Sequence, residues 1–207
     1  YYRGEQYGPQ VECGKPVIYL YPQKEQDVFV KVEPTGGLTV SDPPYNDGWR
    51  VRATPESSIY NYADKQKYPY LFWEGHGKNY ERPKLGFVVA KQEVPSLLKE
   101  KLAALGLNEK ESTDFREFWE PKLMESPYVF VTFIDQDTFN TIAPLTVEPK
   151  PDSIIRVFMD YEPLHSPIAV EPLVISTPKR KGFTVIEWGG ALHRNGSAMC
   201  PAGTFLQ

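Results

Sequence analysis

Two glutamates stand where a pair of carboxylates could do acid–base work. Glu74 in FWEG and Glu187 in IEWGG each adjoin a tryptophan at the end of an alternating apolar segment. Glycoside hydrolysis uses such a pair, one as acid and the other as base or nucleophile, with aromatic rings to stack on sugar. A neighbouring indole also raises a carboxyl pKa by desolvation. The competing reading packs Trp73 and Trp188 in the core and leaves each glutamate to cap a strand end or pair with a Lys or Arg.

The aromatics offer binding as well as packing. Tyr60, Tyr62, Tyr68, Tyr70, Phe72 and Trp73 crowd one stretch, and Tyr60, Tyr62, Tyr68, Trp73 and Trp188 are the candidate binding residues. Tyr and Trp supply stiff apolar area with a polar edge, which suits sugar faces and protein partners. Alternation within YPYLFW turns about half of these rings inward.

Other chemistry is thinner. The chain has no GxSxG, HExxH, GxxxxGK[ST] or GxGxxG, which argues against an α/β-hydrolase, a zincin, a P-loop enzyme and a dinucleotide enzyme. His76, His165 and His193 fall in separate segments without i, i+2 or i, i+4 spacing, so a zinc site competes poorly with three solvent-facing imidazoles. Asp135, Asp137 and Asn140 could offer oxygen ligands to Ca²⁺, but the Gly and terminal Glu of an EF-hand loop are missing. The preferred reading is a helix start capped by Asp137, with Asp135 favouring its positive end. No cofactor is expected.

Cys13 and Cys200 lie near the two ends, far from any CxxC spacing. Domain termini are often neighbours in space, so a disulfide closing nearly the whole chain is the favoured reading, with two buried free thiols as the alternative. A disulfide implies an oxidising, extracytoplasmic compartment. Asn195-Gly196-Ser197 is a formal glycosylation sequon, read here as a turn.

These residues must be positioned by short strands and a few helices. Residues 1–12 read as a linker or lead-in. Val17 to Tyr21 is an apolar strand between two prolines. In DVFVKVE, Val28, Val30 and Val32 share one face and Phe29, Lys31 and Glu33 the other. Trp49, Val51 and Ala53 alternate with Arg50 and Arg52 after the Asn46-Asp47-Gly48 turn. Val94, Leu97, Leu98, Leu102 and Leu105 mark a helix ending at Gly106, and a second helix from about Thr113 carries Phe115, Phe118, Trp119 and Leu123, with a kink or early end expected at Pro121. Strands are predicted at 128–134, 145–148, 154–161 and 183–188, with a short helix at 137–143. The grouping is α+β: a β-sandwich-like part over 13–83, then two helices and an antiparallel sheet over 84–190, then a tail over 191–207 tied back by Cys200. Residues 13–200 can also form one compact unit.

The segments CGKPVIYLYP (13–22), PYLFWEG (69–75), LGFVVA (85–90), PKPDSIIRVFMDY (149–161) and GFTVIEWGG (182–190) resemble a family of uncharacterised bacterial proteins that are secreted or attached to the cell surface. The resemblance implies an extracytoplasmic location and a single unit spanning both β-rich halves. It brings no catalytic residues.

Composition sets the remaining bounds. With 13 Tyr, 11 Phe, 4 Trp, 20 Pro and 15 Gly in 207 residues, the chain has ample material for a core and for turns. The net charge of −4 and the scatter of Lys and Arg give no stripe for nucleic acid. No apolar run reaches the ~20 residues of a membrane helix, and the first residues lack a signal-peptide pattern. Because the chain starts on Tyr1 rather than Met, a processed product is expected. The functional expectation is a cell-envelope or extracellular domain binding a glycan or protein through aromatic loops. A small hydrolase of glycan or ester bonds, using Glu74 and Glu187, is the alternative, and a purely structural module is third.

Overall fold

The computed structural model describes residues 11–77, 80–194 and 197–199, with side chains from 14 to 193 within those limits. In chain order its elements are β1 (Val11–Tyr21), β2 (Gln26–Val32), β3 (Leu38–Asp42), β4 (Trp49–Ala53), β5 (Ile59–Asn61), β6 (Gln66–Tyr68), β7 (Leu71–Gly77), β8 (Phe87–Ala90), α1 (Val94–Ala104), α2 (Glu109–Leu123), β9 (Tyr128–Ile134), α3 (Gln136–Ile142), β10 (Leu145–Glu148), β11 (Ser153–Leu164), β12 (Thr184–Arg194) and β13 (Ser197–Met199). The fold is α+β, with an eight-stranded sheet ordered β3-β7-β1-β12-β11-β9-β8, β13 added beside β12, and a five-stranded sheet ordered β10-β2-β4-β5-β6.

Alternation decides what each face of the large sheet covers. Ile18 pairs with Leu71 and Glu187, and Glu187 with Arg156, so these four side chains share one face. Val17, Phe72, Trp188 and Val157 form the neighbouring row on the other face. The first face packs on Val28, Val30, Trp49, Val51 and Ile59 of the small sheet and on Phe139 and Ile142 of α3. The second is covered by α1 and α2 through Val94, Leu98, Leu102, Phe115 and Trp119. Burying each such side chain stabilises by about 1.5–3 kcal/mol.

Several expectations change. The large sheet takes β1, β3 and β7 from the first segment and β8, β9, β11 and β12 from the second, so 13–83 and 84–190 share one sheet rather than forming separate parts. It is mixed rather than antiparallel, because β11 and β12 run parallel. Val11 and Glu12 belong to β1 and not to a lead-in, while residues 1–10 lie outside the described residues. The second helix starts at Glu109, where Asn108 accepts from the Glu111 backbone N–H at 2.9 Å and Glu111 returns the bond at 2.8 Å. This reciprocal cap satisfies two orphan donors, and the helix then runs through Pro121 to Leu123. At α3 the cap is Asp135, which accepts from Thr138 N–H at 2.8 Å, and Asp137 lies in the first turn. The glycines of EWGG serve packing: a Cβ on Gly190 would lie 3.0 Å from the Trp119 ring.

Candidate functional site

The two glutamates do not meet. Glu187 faces the small sheet, whereas Glu74 alternates with buried Trp73 on β7 and faces the helix side. A catalytic pair is therefore not assembled from them. Glu187 is fully buried and accepts from Trp73 Nε1 at 2.8 Å and from Arg156 Nε at 2.5 Å. Arg156 also donates from Nη1 to Asn140 Oδ1 at 2.8 Å and lies over the Phe139 ring at 4.0 Å. This is a buried bridge in which the carboxylate neutralises an arginine between the sheets, although the arginine's Nη2 finds no hydrogen-bond partner among the described residues. It also commits Asn140, one of the three oxygens considered for Ca²⁺, and Asp135 is committed to Thr138 through both its oxygens.

All four tryptophans, including Trp73 and Trp188, are fully buried, which corrects their reading as binding residues. Trp188 packs edge-on against Phe115, with ring centroids 5.2 Å apart. Tyr68 is half-buried against the core, and its hydroxyl donates to Asp64 at 2.7 Å, which pushes its own pKa up to about 12. Tyr60 and Tyr62 remain on the outer face of the small sheet.

That outer face is set by strand register. Asp27, Arg52, Tyr60 and Lys67 fall in one row across β2, β4, β5 and β6. Glu148, Phe29 and Arg50 form the next row, and Tyr62 closes it by donating its N–H to Arg50 O at 3.2 Å. Tyr60 and Tyr62 meet edge to face at 5.5 Å, and Tyr62 is 43% exposed. The Arg50 guanidinium lies 4.7 Å from the centroid of the Phe29 ring. Asp27 accepts two bonds from Arg52, at 2.8 and 3.1 Å, and one from the Tyr62 hydroxyl at 2.5 Å. Those donors, Arg52 first, hold the Asp27 carboxyl below the ordinary carboxylate range. Tyr62 is thus fixed by its hydroxyl with its ring exposed.

Two clefts open on this face. The larger, about 430 Å³, is lined by Asp27, Phe29, Arg50, Tyr62 and Glu148 among others. The smaller, about 250 Å³, lies between the 44–48 turn and Tyr62. Arg50 and Tyr62 line both. Gly48 shapes the turn: its φ is +117°, and a Cβ there would meet the Phe29 ring at 2.5 Å. Phe29 and Arg50 were visible in the sequence only as outward-facing positions.

A second polar cluster was missed by sequence reasoning because its members are far apart in the chain. Asp160 is fully buried and accepts from the Tyr80 hydroxyl at 2.6 Å. His193 Nδ1 lies 3.5 Å and Arg82 Nη1 3.9 Å from its oxygens, and Arg82 pairs with Glu162 at 2.5 Å. Burial raises the Asp160 pKa above the ordinary value, against the pull of Tyr80, His193 and Arg82. Of the other histidines, His76 lies on the helix-side face of β7 and His165 is exposed after β11. No group of three or more His, Cys, Asp or Glu is placed to hold a metal among the described residues. Cys200, the side chain of Cys13, and Asn195 and Gly196 of the sequon lie outside the described residues. No helix among the described residues is long and apolar enough to cross a membrane.

No protein-family model and no solved structure matches the chain. Over 64 residues it is 41% identical to a Butyrivibrio fibrisolvens protein described as an uncharacterized protein in the bglA 3' region. The match covers 30% of this chain and 65% of that protein, so the chain spans just under two thirds of the relative's length.

Proposed function

We propose that the protein is a glycan-binding module and that the outer face of the small sheet is its contact surface. The observation that carries this reading is the pair of adjoining clefts that share Arg50 and Tyr62. A sugar chain repeats along its length, and two clefts with a common wall of ring and guanidinium match successive units of such a chain. The larger cleft falls in the size range of about 300–1,000 Å³ common for small-ligand sites. A stable protein interface needs about 800 Å² per partner with an apolar centre. On this face the rings of Phe29, Tyr60 and Tyr62, with Pro44, Ala63 and Pro149 in the cleft linings, are interspersed with Asp27, Arg50, Arg52 and Glu148, which favours a sugar over a protein.

Native gels cast with polysaccharides test the reading. The wild type is retarded by at least one glycan, and Tyr62→Ala, which deletes an exposed ring, weakens retardation by about tenfold. Unchanged retardation in the variant, or binding to a protein partner alone, contradicts it.

The module is further proposed to work outside the cytoplasm, with Cys13 and Cys200 joined. Gly14, next to Cys13, pairs with Gly190, and Met199, next to Cys200, pairs with Leu192. The neighbours of the two cysteines therefore approach Ala191 from opposite directions along β12, which supports the bridge.

A further inference from the structure

The two clefts differ in charge, and the difference bears on which glycans fit. The larger carries the carboxylates of Asp27 and Glu148 beside Arg50. Carboxylates accept hydrogen bonds from sugar hydroxyls and repel a second anion at short range. In the smaller cleft, lined by Pro44, Asn46, Gly48, Asn61, Tyr62 and Ala63, Arg50 is the one charged lining residue among the described residues.

Other charges near this face are already engaged. Arg52 is held by Asp27, and Lys31 pairs with Glu33 at 2.9 Å and Asp47 at 3.6 Å. Asp47, the acidic residue of the turn beside the smaller cleft, therefore leans toward Lys31. No ion pair with a described residue engages Arg50, whose guanidinium rests on the Phe29 ring. Stacking on a ring leaves the in-plane N–H donors of a guanidinium at its edge, where they match the paired oxygens of a carboxylate or sulfate.

We infer that the ligand is an acidic glycan: a unit bearing a carboxylate or sulfate seats in the smaller cleft against Arg50, and the adjoining neutral unit lies in the larger cleft beside Asp27 and Glu148. This rests on the glycan-binding reading and adds a charge requirement to it. The protein's own net charge of −4 does not favour acidic polymers at long range, so the preference comes from this one cleft.

The test titrates wild type, Arg50→Gln and Tyr62→Ala with polygalacturonate, a sulfated carrageenan and a neutral galactan at physiological ionic strength. Arg50 is exposed, and its replacement leaves the fold intact by circular dichroism. The wild type binds an acidic polymer more tightly than galactan, with polygalacturonate and carrageenan separating carboxylate from sulfate. Arg50→Gln loses about tenfold more on the acidic polymer than on galactan, the size of one charge-assisted hydrogen-bonded contact beyond the wall that Arg50 gives both clefts. Equal binding of acidic and neutral polymers by the wild type, or an equal loss on both in Arg50→Gln, overturns the charge requirement while leaving the glycan reading standing. If no polymer is bound by the wild type, both fail together.

Discussion

Replacing Glu187 by Gln removes one charge from a bridge that has no water to fall back on. Both partners are buried, with side chains 1% and 0% exposed for Arg156 and Glu187. The amide keeps an oxygen for Trp73 Nε1, so the packing volume and one hydrogen bond survive. What remains is a guanidinium between the sheets with, among the described residues, Asn140 and the Phe139 face to stabilise it. Breaking a buried pair from one side costs about 3–5 kcal/mol, and the retained amide oxygen places this variant near the lower end. With a urea m-value of about 2–3 kcal/mol/M, the unfolding midpoint falls by about 1–1.5 M. The double variant Glu187→Gln/Arg156→Met removes the stranded charge and recovers at least half of the loss, because an apolar side chain beside Phe139 replaces it. Urea titrations followed by tryptophan fluorescence measure both. A midpoint within 0.3 M of wild type for the single variant (about 1 kcal/mol or less), or a double variant as weak as the sum of the two singles, refutes the bridge as a structural element.

The Asp160 carboxyl has a raised pKa in the folded state, so between the unfolded value and the folded one the native protein holds the extra proton. Its contribution is complete below the unfolded value and is lost as pH rises through the folded one. Asp160→Asn cannot titrate, so the stability of wild type minus variant falls from pH 4 upward in melting experiments (about the unperturbed Asp pKa), and a difference that rises with pH contradicts this. For the cysteines, thiol titration of the denatured, unreduced protein finds no free thiol. Two free thiols per chain remove the bridge.

Local patterns were legible where one face of an element is buried and the other wet. The strands at 128–134 and 145–148 fall at the expected positions, and Val28, Val30, Val32, Trp49, Val51 and Ala53, which alternate with outward residues, all point inward. The start of α2 was obscured because its first turn, Glu109 to Ser112, is polar; its signal was the Asn108–Glu111 cap spacing. The parallel pairing of β11 with β12 could not be read, since the chain between them has no helix to announce a crossover. In the site, alternation turned Phe29 and Arg50 outward, but only the register sets them beside Tyr60 and Tyr62. Glu187 looked catalytic because its partner, Arg156, lies 31 residues away and nothing local advertises the pairing.

The placement of the binding face is tested most directly by following backbone amide signals of the isotope-labelled protein as an acidic oligosaccharide is added. The shifts are expected to concentrate on Phe29, Arg50, Tyr60 and Tyr62 and to saturate with a single affinity. Shifts gathered instead around Asp160 and His193, or on the helix-covered face of the large sheet, contradict the assignment.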